Sequence, residues 1–481
     1  MPKYRKFMLL FWPMFLLGWV PFAASGAPTY QVTIGPDLSG LQVRVCDIDE
    51  RLNSLVNPHS QARKHLQWMR LESDRTSHEL RPHHGMVTLR NSAPGSCVAY
   101  AVDFRGKIAH SWFSSRQQTS KQVLVDIDRW LWYPQPFPES GVPITVQVPK
   151  GLSISAPWRL VARTVDSASY LILKRPLEWE ARMAIGDFPV TDLQINNAQV
   201  RIAVLNGNPA TNEAEILRWI KSNLTALSLT YGAFPVPDLQ VLVVPVGKDT
   251  EPVPWGHVLR GGGDAVHVYI DQTRPLEEFL ADWVLIHELS HLLHPRLRGR
   301  DAWLYEGLGS YYQNVLRARA GLLTQQQAWQ KLHDGFQRGV KATGARRTLL
   351  QESENMLRDR NFMRVYWSGA AIFLLADQRL REQSGGRTSL DRVLKQFRDC
   401  CLPTDRWWSG EELMARLDSL SGATVFSELY HRYVPATDFP DPGPAYKELG
   451  LSVTHGIVEL SDNATQTELR NAIMLPNNAS P

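Results

Sequence analysis

Leu285-Ile286-His287-Glu288-Leu289-Ser290-His291-Leu292-Leu293-His294 places two imidazoles four residues apart inside an apolar run. On a helix, positions i and i+4 share a face, one turn above the other. Two imidazoles so placed can converge on one zinc ion, and Glu288 between them can reach the water that the ion activates. The alternative is a chance pattern on an apolar face. The surrounding chain decides between the two.

A catalytic zinc needs a third protein ligand and one open position. Glu306, in Trp303-Leu304-Tyr305-Glu306-Gly307, is the candidate. A turn after His291 brings the helix expected over 301–319 back alongside the first. Its apolar neighbours argue against a solvated glutamate, because a buried carboxylate needs a partner. His294 competes, but it lies about two turns, or roughly 10 Å, along the axis from His287. The glycine that a His-x-x-Gly-x-x-His continuation requires is also absent. His294 reads as a cation at the helix C-terminus or as a neighbour of the ligands.

Further out, the chain divides by pattern. Residues 27–185 hold short alternating or apolar strands such as Leu41-Gln42-Val43-Arg44-Val45 and Ile144-Thr145-Val146-Gln147-Val148, separated by Gly, Pro and Ser clusters. They predict an N-terminal β-sandwich. His78, His83 and His84 fall in a polar loop without i,i+4 geometry and read as solvated. Residues 186–300 alternate strand and helix and predict an α/β catalytic layer, with Asn212 capping a helix over 213–229. A single helix from 276 to His294 stops at Pro295. Residues 301–455 are helical, with Thr324 and Gln327 as a capping box, and 456–481 read as a polar tail, disordered from Ser461. The fold class is multidomain α+β.

The 481 residues carry a net charge of +4 that no block concentrates, which gives no argument for a nucleic-acid partner. Lys3, Arg5 and Lys6 precede an apolar stretch from Phe7 to Val20 and small residues at Ser25 to Ala27. This reads as a signal peptide over 1–26, with an uncleaved anchor as the alternative. The mature chain is expected to be exported, periplasmic or secreted, without a membrane span. Export allows Cys46 and Cys97 to pair; Cys400 and Cys401 either form a vicinal bridge or remain thiols.

His287-Glu288-x-x-His291 followed by Glu306-Gly307-Leu308-x-Ser310-Tyr311-Tyr312 resembles the gluzincin metallopeptidases, in particular the glycyl aminopeptidase-like family with its PDZ-bearing relatives. The aminopeptidase N family is the more distant likeness. Tyr366-Trp367-Ser368-Gly369-Ala370, Gly386-Arg387-Thr388-Ser389-Leu390-Asp391 and Tyr433-x-x-x-Thr437-x-x-Pro440 extend the resemblance across about residues 185 to 452. It implies a thermolysin-like catalytic layer and one zinc ion held by His287, His291 and Glu306. It also implies Glu288 as the base, Tyr366 as the oxyanion partner and a peptide or protein as substrate. Related aminopeptidases grip the substrate amine through a Gly-x-Met-Glu-Asn segment. The corresponding stretch is Gly261-Gly262-Gly263-Asp264-Ala265, which makes Gly262, Gly263 and Asp264 the expected substrate-binding residues. A different function on the same scaffold is peptide binding without turnover.

Overall fold

The computed structural model describes all residues except 1–26, 49–51, 74–75, 90–94, 105–121, 209, 345 and 477–481. The expected signal segment therefore lies outside the described residues. Alternation in the N-terminal strands builds an eight-stranded sheet in the order Arg159–Arg163, Ser167–Ile172, Val142–Gln147, Thr29–Ile34, Gly40–Cys46, Cys97–Asp103, Leu66–Glu72, Ser77–Glu79. Along Thr29–Ile34 the burial alternates residue by residue, as a strand with one face on a core requires. Two three-stranded sheets oppose it across a core that includes Trp130, Trp132, Trp158 and Tyr170, all nearly inaccessible. Cys46 and Cys97 are bonded across neighbouring strands of the large sheet, and Cys400 is bonded to Cys401.

The central sheet has five strands in the order Val190–Ile195, Ala198–Val204, Asp238–Pro245, Asp264–Ile270, Trp255–Arg260. The three inner strands run parallel, and both outer ones are antiparallel to their neighbours. The helix Glu213–Ser228 makes the first parallel crossover, and Asn212 caps it by accepting from Glu215 N. Asp238–Pro245 is buried almost throughout because both of its faces are covered. One face meets the helices; the other meets the N-terminal unit through Ala184, Phe188, Leu242 and Tyr269. Trp255–Arg260 forms an edge of this sheet, closed at its end by Arg260, whose O accepts from Leu177 N and Glu178 N and whose N donates to the Glu178 carboxylate.

Two expectations change. The single helix expected over 276–294 is broken into Leu276–Ala281, Val284–Ser290 and a last 3₁₀ turn, His291–Leu293. Asp282 is extended, and its carboxylate accepts from Val284 N at 2.7 Å, which restarts the helix two residues on. The tail is not disordered throughout. Leu451–Thr454 and Ile457–Leu460 pair as a hairpin whose turn, His455-Gly456, takes two positive φ values. Ala464–Met474 then folds as a helix that buries Ile473 and Met474, while the buried Arg470 donates to Leu449 O. No described helix is long and apolar enough to cross a membrane.

Candidate metal centre

The motif helix Val284–Ser290 packs by its apolar residues Leu285, Ile286 and Leu289, which are buried in the main core. That packing turns His287 and His291 toward the helix Ala302–Arg319. Gly309 on the latter lets the imidazole come close: a Cβ there would stand 2.8 Å from His287 Cε1. Glu306 Oε2 lies 3.0 Å from His287 Nε2 and 3.7 Å from His291 Nε2. These are the separations expected of donors that each sit about 2 Å from one ion. The ligand atoms of His287, Glu288 and His291 also fall within 4.8 Å of one another. Of the two glutamates, Glu306 fits the third-ligand place because one of its oxygens faces both imidazoles.

The outer nitrogens fix the tautomers. His287 Nδ1 bonds Gln313 Oε1 at 2.9 Å; the amide oxygen can only accept, so the imidazole donates. His294 Nδ1 donates to Pro295 O at 2.7 Å, which leaves its Nε2 as an acceptor. His291 Nδ1 then donates to that Nε2 at 3.1 Å. Both His287 and His291 therefore present an Nε2 lone pair toward Glu306, as zinc ligation requires. Arg260 holds the end of the motif, donating to His291 O at 2.7 Å and His294 O at 3.1 Å. Those carbonyls would otherwise lack partners. Glu178 of the N-terminal unit lies 3.7 Å from Arg260 and 2.9 Å from Arg296.

Burial and neighbouring charge sort the protonation states. Burial, followed by the charges of His287, His294 and Arg260, pushes His291 well below the ordinary imidazole range, so it stays neutral. For His287 burial acts downward too, but the hydrogen bond and charge of Glu306 outweigh it and raise the value. Glu288 is raised to about 7 by burial, against the pull of His287, with Glu306 adding to the rise. Its carboxylate accepts from the Val258 backbone of the edge strand. Gly256 makes that approach possible, since a Cβ there would stand 2.7 Å from Glu288 Cγ.

Tyr366, on the helix Phe362–Ser384, lies stacked on His287 with ring centroids 5.8 Å apart and planes 10° apart. Burial, then the charges of Glu306 and Glu288, raises its hydroxyl, which remains a donor. Two glycines bring its helix in. A Cβ on Gly369 would meet Trp303 O at 1.7 Å, and one on Gly307 would meet Gly369 Cα at 2.3 Å. Only bare backbone fits at this crossing. Behind it, Tyr311 donates to Asp377, Tyr312 donates to Asp391, and Arg319 pairs with Asp391 at 2.9 Å.

The structure thus brings His287, His291, Glu306, Glu288 and Tyr366 together, and it sets Gly262, Gly263 and Asp264 at the seam with the N-terminal unit. Gly262 and Gly263 pack on the N-terminal unit. A Cβ on Gly263 would stand 1.9 Å from Pro157 O, and one on Gly262, at φ +91°, would stand 2.7 Å from Ile172 Cγ2. With Asp264 they line a small cavity of about 90 Å³, shared with Lys174, Pro403 and His294. Their glycine character serves this seam. The strand that meets Glu288 is Trp255–Arg260. Gln313 and Arg260 were missed. Gln313 follows Glu306 by seven residues, two helical turns on the same face, and that spacing is the signal that could have found it.

Residues 285–372, which carry this constellation, match the family model of the M61 glycyl aminopeptidases. No curated protein sequence matches the chain. Among solved structures, an aminopeptidase N family protein from Idiomarina loihiensis superposes with a TM-score of 0.64 at 14% identity, covering 89% of this chain and 79% of that one. An M1 zinc metallopeptidase from Deinococcus radiodurans gives 0.53 at 17% identity, covering 86% and 95%. A point mutant of an M1 zinc metallopeptidase from the same organism, bound to a Tyr-Ser-Ala substrate, gives 0.52 at 16% identity, covering 86% and 95%. At these identities the likeness is one of fold.

Proposed function

We propose that this chain is an exported zinc metallopeptidase that acts as an aminopeptidase on peptides laid along Trp255–Arg260, with Glu288 as the base; the match to the M61 family model and the fold shared with an M1 zinc metallopeptidase support this. The observation that carries the reading is the convergence of His287 and His291 on one oxygen of Glu306, with Glu288 held between that cluster and the edge strand Trp255–Arg260. His287, His291 and Glu306 would hold the zinc, which supplies a Lewis acid for the scissile carbonyl and activates water. An extended peptide pairs with the edge strand by main-chain hydrogen bonds. Glu288 takes a proton from the attacking water and returns it to the leaving amine. Tyr366 keeps its phenolic proton and donates to the developing oxyanion. Two features support export. The first is Lys3, Arg5 and Lys6 ahead of the apolar run Phe7 to Val20. The second is the Cys46–Cys97 bond, which suits an oxidising compartment.

Zinc analysis combined with a peptide-library digest tests this. The purified chain should hold about one zinc and cut peptides at their free N-termini. Glu288→Gln should keep the zinc and lose at least about a hundredfold in turnover. Internal cuts would replace the aminopeptidase reading by an endopeptidase one. Full activity in the variant would remove Glu288 from the role of base.

A further inference from the structure

A cavity of about 320 Å³ opens directly beside His287, and nothing in the reaction above uses it. Trp283 and Tyr366, the two rings packed on His287, form its inner wall with Gln313. Its outer wall and floor carry three cationic side chains, Arg317, Lys331 and Arg338, against one acid, Asp334. Lys331, Asp334 and Arg338 are spaced three and four apart on the helix Gln325–Lys341, so they share a face. Asp334 accepts from Gln330, and neither Lys331 nor Arg338 forms an ion pair among the described residues. The guanidinium carbon of Arg338 lies 5.0 Å over the ring of Trp367, so the charge is held at the pocket wall by a cation–π contact.

Arg317 is the informative one. It is only 3% exposed, yet it has no carboxylate within ion-pairing distance among the described residues. Its Nη2 donates to Ala281 O at 2.6 Å, and its buried Nε has no partner. The acid whose charge it feels is Asp282, which is occupied in capping Val284. A buried guanidinium left short of acceptors is costly unless an anion completes it. Trp283 and Met363, 43% and 39% exposed, add apolar surface at the mouth. A cationic floor under an apolar lip fits a carboxylate on a short hydrocarbon stem rather than a free inorganic anion.

We propose that this pocket is a substrate subsite that seats a peptide carboxylate, either the free C-terminus of a short peptide or an acidic side chain. The inference rests on the reading of the adjoining centre as a peptidase and adds the class of substrate it prefers. Arg317 forms the floor of the subsite, and Lys331 and Arg338 form its outer wall.

The test measures binding on zinc-loaded Glu288→Gln protein, so it does not depend on turnover. One arm compares Ala-Ala-Ala with its C-terminal amide. The other compares the C-terminal amides of Ala-Glu-Ala and Ala-Gln-Ala. The acid member of at least one pair should bind about tenfold tighter, and the preference should shrink with added salt. A preference in the first arm assigns the C-terminus; one in the second assigns the side chain. Adding Lys331→Gln and Arg338→Gln, both exposed and safe for folding, should bring the preferred ratio toward one. Equal binding of acid and neutral peptides in both arms, or no binding at all, overturns the subsite. Wild-type protein that binds carboxylate peptides selectively but cleaves none would sink the peptidase reading and leave the subsite standing.

Discussion

His294 touches no ligand atom that faces Glu306, yet it decides which nitrogen of His291 carries the proton. Its own Nδ1 is committed to Pro295 O, so it can only accept from His291. His294→Ala removes that acceptor, frees the His291 tautomer and leaves a buried N–H unpaired. Zinc affinity should fall by about ten- to a hundredfold, read by competition with a chromophoric chelator. His294→Gln restores an acceptor near the same place and should recover most of the loss. If both variants bind zinc like the parent, the relay has no part in ligand orientation. The sequence shows His287, His291 and Glu288 plainly, because one helical period links them. For His294 the sequence leaves two readings, a cation at the helix C-terminus or a neighbour of the ligands; burial and then Arg260 lower its imidazole to about 3, so it is neutral and the second holds, through a 3₁₀ turn and the extended geometry that Pro295 imposes on the residue before it.

The crossing of Ala302–Arg319 with Phe362–Ser384 carries two site residues, Glu306 and Tyr366, on opposite sides of one backbone contact. Gly369 sits against Trp303 O, and no side chain fits between them. Gly369→Ala must push the helices apart, at a cost of about 1–3 kcal/mol. The expected result is a lower unfolding midpoint together with reduced zinc occupancy, because Glu306 moves with its helix. A variant that loses stability but keeps full zinc would show that the crossing is purely structural. Helix existence was legible from capping boxes such as Thr324 with Gln327, which the structure reproduces. The break at Asp282 was not, because Glu277 to His294 shows no Gly or Pro. What ends the first helix is a local carboxylate bond to Val284 N. The stretch from Ser461 differs from the expectation for a similar reason: its polar composition hides the apolar end of Ala464–Met474.

At the scale of the molecule, the N-terminal unit and the layers that carry the metal centre meet along a polar seam. There Glu178 faces Arg260 and Arg296, and Trp158 donates to Gly261 O. Patterning alone separates the two units but cannot show this seam, because its contacts join residues about a hundred positions apart. One group beside it carries a pH dependence. Asp128 lies in the turn that pairs with Trp179 O, and its buried Oδ1 has no partner. Burial, with Asp126 adding and Arg129 opposing, raises its carboxyl to about 7; Glu180 and Arg182 are the other charges it feels. The unfolded chain releases this proton near the ordinary value of about 4. Between roughly pH 4 and 7 the folded state therefore holds a proton that the unfolded state has lost, and stability falls as pH rises. Partial exposure screens the effect, so its full size above pH 7 is on the order of 1–2 kcal/mol. Asp128→Asn removes the charge and keeps the shape. It should match the parent near pH 4 and exceed it at pH 8, as read from denaturant midpoints at both values. Parallel pH profiles for parent and variant would mean that Asp128 ionises in the folded protein as readily as in the unfolded chain, and that the slope arises elsewhere along the seam.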